Sequence, residues 1–387
     1  MSCRSWHAAA FAAGLTAFWT ACSNAPHRGA DAGEEEGDAA ADAGGNSDAD
    51  AGEPVLADCP TALVPPCDDA IYELPLVVAA DVIGDGFEFV DATPDVLLAQ
   101  RETSGDTEIA AIRRLPDDIF SDESLVAILD VGDRHLVGGS EPGENDAIDG
   151  STTLALVCAA DGACDVYLEF SFPEADAWGL GNAFEQSPRW HLPAELAARA
   201  IRPLRFGIAA VVGNGAVELL ANGELQGLVV PDAERPLNDI SADGLAVGAG
   251  GRVAWNGSGD AWASSEVDAG TSIGLLSAAA VSSDGTVAIA GADGLLGSGR
   301  PDDGFAWTPL ADEPLLAVRG LLEEYSTLHV LTASGCALQN ELGDFCVEGV
   351  VPGAATRILI WECWGWRNAS FLAPSGLYGD SACYDYE

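Results

Sequence analysis

The side chains most able to do chemistry are eight cysteines that fall in close pairs: Cys59 with Cys67, Cys158 with Cys164, Cys336 with Cys346, and Cys363 with Cys383. Thiols spaced this way either bridge or hold a soft metal. No C-x-x-C occurs and no His lies beside them, which argues against zinc thiolates and for disulfides. Pairing of sequence neighbours is the simplest expectation. CAADGAC places Cys158 and Cys164 at the two ends of a hairpin turn, where cross-strand neighbours come within bridging distance. His135, His191 and His329 are far apart in sequence, and neither G-x-S-x-G nor H-E-x-x-H is present. Near the end, Trp361, Trp364 and Trp366 precede Tyr378, Tyr384 and Tyr386. Such rings can form a platform for a sugar face. Strand alternation puts Trp364 and Trp366 on one face, and packing of a last sheet is favoured over glycan binding.

What is missing removes other chemistries. Acidic residues outnumber basic ones 62 to 16, for a net charge of −46. That balance repels nucleic-acid phosphates, so no nucleic-acid partner is expected. All 16 basic residues are Arg. Without a single Lys, the chain cannot be a Schiff-base enzyme, a P-loop nucleotide hydrolase, a protein kinase or an S-x-x-K hydrolase. No nucleotide is expected either. A surplus of carboxylates always offers pairs, so it is no evidence for a glycosidase dyad.

The elements that would position these residues begin with an address. MSCRSWHAAAFAAGLTAFWTACSNA has a short positive region and an apolar stretch from Ala8 to Ala21, too short to span a membrane, and reads as a secretory signal. Thr20, Ala21 and Cys22 resemble the lipobox of bacterial lipoproteins, although Trp19 stands where Leu is usual. The resemblance implies cleavage before Cys22 and a diacylglycerol on its thiol; cleavage after Ala25 is the alternative. From Pro26 to Pro54 the chain is almost all Ala, Asp, Glu and Gly, with DAG at Asp31, Asp42 and Asp50. So little apolar surface and so much self-repulsion predict a disordered tether. The expected organisation is therefore a signal peptide (1–21), a lipidated Cys with its linker (22–57) and one folded domain (58–387). Its expected location is the outer membrane or cell surface, with a periplasmic or secreted protein as the alternative.

The folded domain repeats. DGLAVGAGGRVAW starts at Asp243, DGTVAIAGADGLLG at Asp284 and YSTLHVLTASGCAL at Tyr325. Gly244, Gly285 and Ser326 are spaced 41 residues apart, as are Ile240, Val281 and Leu322. A third strand closes each copy at Trp262, Trp307 and Phe345, behind Gly259, Gly304 and Gly343. Short strands joined by Gly turns at this period predict an all-β fold of radially stacked four-stranded blades, preferably about seven in one ring. A separate sandwich before a shorter ring is the alternative. The segment from Pro193 to Ile201, PAELAARAI, reads as a helix in a loop.

The repeat, clearest over 203–350, resembles β-propellers of the WD40-like and Asp-box type, such as sialidases and photosystem-assembly factors. Asp302, Gly304 and Trp307 match the Asp box, with Arg300 where Ser or Thr is usual. The match implies a turn between outer strands and no catalytic role. Asp81, Asp85, Asp91 and Asp95 in ADVIGDGFEFVDATPDVLLA resemble the calcium loop of integrin-type propeller repeats, with Ile83 and Phe89 at two ligand positions. A solvated acidic turn is the alternative, and no other cofactor is implied. The expectation is a binding or scaffolding module of the cell envelope, partnered by an envelope protein or glycan and touching the membrane only through its lipid. A secreted hydrolase working at the propeller axis is the rival.

Overall fold

The computed structural model describes residue 59 and residues 63–379, apart from 72, 94, 114–124, 143–151, 174–179, 205–206, 257–261, 267–273, 281–285, 321–326, 342–343 and 364–365. Cys22 and the acidic linker lie outside the described residues, as do Gly285, Ser326, Trp364, Cys383, Tyr384 and Tyr386.

Two strands come first, β1 (Pro66–Ile71) and β2 (Leu76–Ala79). Blade I follows as β3 (Glu88–Ala92), β4 (Val96–Thr103), β5 (Asp106–Arg113) and β6 (Leu125–Gly132). Blade II is β7 (His135–Ser140), β8 (Thr152–Cys158) and β9 (Cys164–Pro173), with β10 (Leu180–Phe184) and β11 (Trp190–Leu192) sharing the outer edge of β9. Blade III is β12 (Ala200–Leu204), β13 (Gly207–Val212), β14 (Ala216–Leu219) and β15 (Leu225–Val229). Blade IV is β16 (Leu237–Ile240), β17 (Leu245–Gly248), β18 (Arg252–Asn256) and β19 (Trp262–Glu266). Blade V is β20 (Leu275–Ala280), β21 (Val287–Gly291), β22 (Leu295–Arg300) and β23 (Gly304–Pro309). Blade VI is β24 (Leu315–Gly320), β25 (Leu328–Thr332), β26 (Cys336–Glu341) and β27 (Asp344–Val350). Blade VII is β28 (Arg357–Cys363), β29 (Trp366–Ala373) and β30 (Gly376–Gly379).

These seven sheets form one ring, so the chain is an all-β, seven-bladed β-propeller with no separate sandwich. Each innermost strand packs beside the next, and β28 returns against β3. Strand alternation explains why a blade is buried on both faces. On β4, Leu97 and Ala99 face blade VII, while Val96 and Leu98 face blade II. The buried apolar residues form seven clusters, one between each neighbouring pair of blades.

Closure of the ring is made by the N-terminal strands. Blade VII has only three strands of its own, and β2 supplies the fourth, antiparallel to β30. The strand before it, β1, adds to blade VI parallel to β27. Two disulfides tie the same segment down: Cys59 bridges Cys336 on β26, and Cys67 bridges Cys346 on β27. This corrects the neighbour pairing expected for these four cysteines. Cys59 and Cys67 flank a strand that joins a blade nearly three hundred residues later in the chain, so their nearest thiols are on that blade. Cys158 and Cys164 do bridge, as opposed residues of the β8–β9 hairpin.

Two further expectations change. The helix expected over Pro193 to Ile201 is only a 3-10 turn, Ala194–Leu196; Ala197 then turns left-handed at φ 45° and Ala200 begins β12. Pairing of β12 with β13 outweighs the helix propensity of the Ala-rich run. The strands of Trp262, Trp307 and Phe345 are the fourth and outermost of their blades, not the third. The sequence repeat begins at the turn after a blade's first strand, so its count runs one short.

Candidate functional site

The seven innermost strands meet on one line, and they bring polar residues to it from positions hundreds of residues apart. In β3, β7, β16, β20 and β24 the pairing register slips by one residue at the same place. Just beyond it stand Asp91, Gly138, Asp239, Ser277 and Ala317, while Arg202 of β12 and Arg357 of β28 come from blades III and VII.

Arg202 spans three blades. Its Nη1 is 3.1 Å from Asp91 Oδ2 on blade I and its Nε is 3.1 Å from Asp239 Oδ1 on blade IV. Blade II leaves room for this because it presents Gly138: a Cβ there would be 2.8 Å from Asp91 Oδ2. The next amide, Gly139 N–H, donates to that oxygen at 3.0 Å. On the other side, Asp239 Oδ2 accepts from Ser277 Oγ at 2.9 Å and faces Arg319 Nη1 at 3.3 Å. Arg319 also reaches Ser277 Oγ at 3.2 Å. Arg357 closes the circuit, with its Nε 3.4 Å from Asp91 Oδ1.

The electrostatics follow from burial and from this pairing. Burial alone would push both carboxyls up. For Asp239 that push is outweighed by the Arg202, Arg319 and Arg357 charges, which hold it at about 2. For Asp91, Arg202, Arg357 and two backbone N–H groups outweigh burial and hold it below the usual carboxylate range. Burial, together with the Arg202 and Arg357 charges, lowers Arg319 despite Asp239. Both axial carboxylates are therefore anions at neutral pH, and neither is poised to exchange a proton.

The residues singled out from the sequence are placed as follows. Asp81, Asp85, Asp91 and Asp95 are not gathered around one point, and among the described residues no group of three or more His, Cys, Asp or Glu is arranged to hold a metal ion. Asp91 turns to the axis because the β3 register puts it there, facing arginines. Asp302 is in the β22–β23 turn and Gly304 opens β23, where Arg300 pairs with it. The Trp307 ring lies over Gly297, where a Cβ would meet it at 2.8 Å, and 6.2 Å from the Phe305 ring. Trp361 is on β28 and Trp366 on β29, and Cys363 pairs in register with Trp366.

The histidines are not assembled into a site. His135 is exposed on β7, and His329 is buried on β25, 3.5 Å from Glu348. His191 Nδ1 is 2.7 Å from Asp165 Oδ1, which also pairs with Arg134, but His191 is 76% exposed. A surface cavity of about 290 Å³ beside β14 and β15 is lined by Leu196, Val217, Leu228 and Val229 and carries no such cluster. Sequence reasoning missed the axial ring. Its one signal is a polar or glycine residue two places after a buried apolar one, as in Phe89 and Asp91, Leu136 and Gly138, or Leu237 and Asp239.

No family model and no curated protein matches the chain. Solved structures do match its fold. The WD40 domain of Toxoplasma gondii coronin is 11% identical with a TM-score of 0.51, covering 83% of this chain and 87% of that one. A streptogramin B lyase is 9% identical with a TM-score of 0.51, covering 79% and 95%. One neighbour is a domain of a coronin and the other a lyase by name, so what this chain shares with them is the β-propeller fold.

Proposed function

We propose that this propeller is a binding or scaffolding module of the cell envelope, exported by its first residues and held to a membrane through a lipid on Cys22 and the acidic linker. The observation that carries the binding reading is the state of the axis. Its carboxylates, Asp91 and Asp239, are held ionised by Arg202, Arg319 and Arg357. A hydrolase using this axis would need an acid or base near neutrality, and the axial pair offers neither. Three arginines facing outward from two spent carboxylates suit recognition better than turnover.

The test compares the full chain with Cys22→Ala in an envelope-bearing host, by membrane fractionation and cross-linking with mass spectrometry. The expected result is a wild-type protein in the membrane fraction with envelope proteins cross-linked to the propeller, both lost in Cys22→Ala. Two soluble, partnerless forms would overturn the reading and return attention to hydrolysis.

A further inference from the structure

The axial ring does not balance. Arg202, Arg319 and Arg357 face Asp91 and Asp239, so the described residues leave one positive charge in excess, within a chain of net charge −46. The excess falls on Arg357. Asp91 already accepts Ala92 N–H at 3.0 Å, Gly139 N–H at 3.0 Å and Arg202 Nη1 at 3.1 Å. Arg357 thus approaches a carboxylate whose lone pairs are largely taken. Its Nε, though buried, makes no hydrogen bond, and its one hydrogen bond runs from Nη1 to Thr356 O at 3.2 Å. A guanidinium carries five N–H donors, and leaving most of them unmet at a half-enclosed site is costly. Arg357 is also the most solvent-reached of the three, at 27% against 21% for Arg319 and 12% for Arg202.

We propose that Arg357 anchors a site for a small oxyanion, carboxylate- or phosphate-like, on the propeller axis. The planar fork of the guanidinium suits two parallel hydrogen bonds to such a group. Arg202 and Arg319 add charge behind it without giving up their own carboxylates. The site deepens the binding reading by naming a ligand chemistry, and it does not depend on anchoring: a propeller that docks partners only through its rim would lack the site and keep the reading.

Calorimetry on the full chain tests this, with inorganic phosphate titrated against chloride at matched ionic strength. The expected result is saturable, single-site binding that weakens at least roughly tenfold in Arg357→Gln and less in Arg357→Lys, which keeps the charge but not the fork. Absence of saturable binding to the wild-type chain, or equal affinity in both variants, would overturn the site. If Arg357→Gln fails to fold, wild-type crystals soaked in selenate decide. An anomalous selenium peak within hydrogen-bonding reach of Arg357 supports the site, and no peak there overturns it. Failure of the binding reading shows separately, as loss of the Cys22-dependent partners.

Discussion

Arg202, on blade III, reaches past blade II to place its Nη1 3.1 Å from Asp91 Oδ2 on blade I, 111 residues earlier in the chain. Only at the axis of a ring are non-neighbouring blades this close. The pair, extended through Asp239 to Ser277 and Arg319, makes the axis a polar core inside an otherwise apolar ring.

The reach requires a bare backbone in between. Gly138→Ala places a Cβ 2.8 Å from Asp91 Oδ2, a carboxylate already pinned by the Gly139 amide. The expected cost is about 1–3 kcal/mol, read as a lower urea midpoint with an unchanged slope.

Acid should loosen the ring through Asp239. Its folded pKa, about 2, lies below the reference value of 3.8. A depressed carboxyl contributes stability that is full above its unfolded pKa and lost as pH falls through the folded one. The window is therefore about pH 4 down to about 2, and the contribution is on the order of 2 kcal/mol. Asp239→Asn should lower stability at neutral pH by about 3–5 kcal/mol, because Arg202 and Arg319 lose a buried counter-charge. It should also flatten the acid limb of a plot of unfolding free energy against pH.

The two N-terminal bridges should be strongly non-additive. Each spans a separation of 277 or 279 residues, but with one closed the other completes only a short loop. Removing either Cys59–Cys336 or Cys67–Cys346 by Ser substitution should cost about 3 kcal/mol, and removing both more than twice that. Thermal melts of the three variants check this, and non-reducing peptide mapping should recover the crossed pairing.

The ring should also depend on where the chain begins to fold. A chain starting at residue 58 keeps β1, β2 and both bridges, and its melting transition should match the full chain. One starting at residue 80 leaves β30 an unpaired edge beside Leu377 and Tyr378 and should aggregate. Light scattering and circular dichroism distinguish the two.

What could be read from the sequence was whatever is local. The period that links Gly244 to Ser326 reports strands and turns a few residues apart, and it led to a propeller of about seven blades. The Cys158–Cys164 bridge was legible because a tight turn brings both thiols together. The apolar alternation of β4 already implied two covered faces.

Tertiary structure alone decided the rest, because those contacts join residues that no local pattern relates. YELPLVV read as the start of the first blade, yet β2 within it completes the last, since a ring offers its one open edge to the strand nearest it in space. Cys59 and Cys67 followed that strand away from each other. Asp91 looked like a cation ligand among neighbouring acids, and ring closure gave it Arg202 and Arg357 as partners instead. Composition and periodicity determine that strands form and stack; closing the stack into a ring determines which charges meet at its centre, because only closure brings the first strand and the last to the same axis.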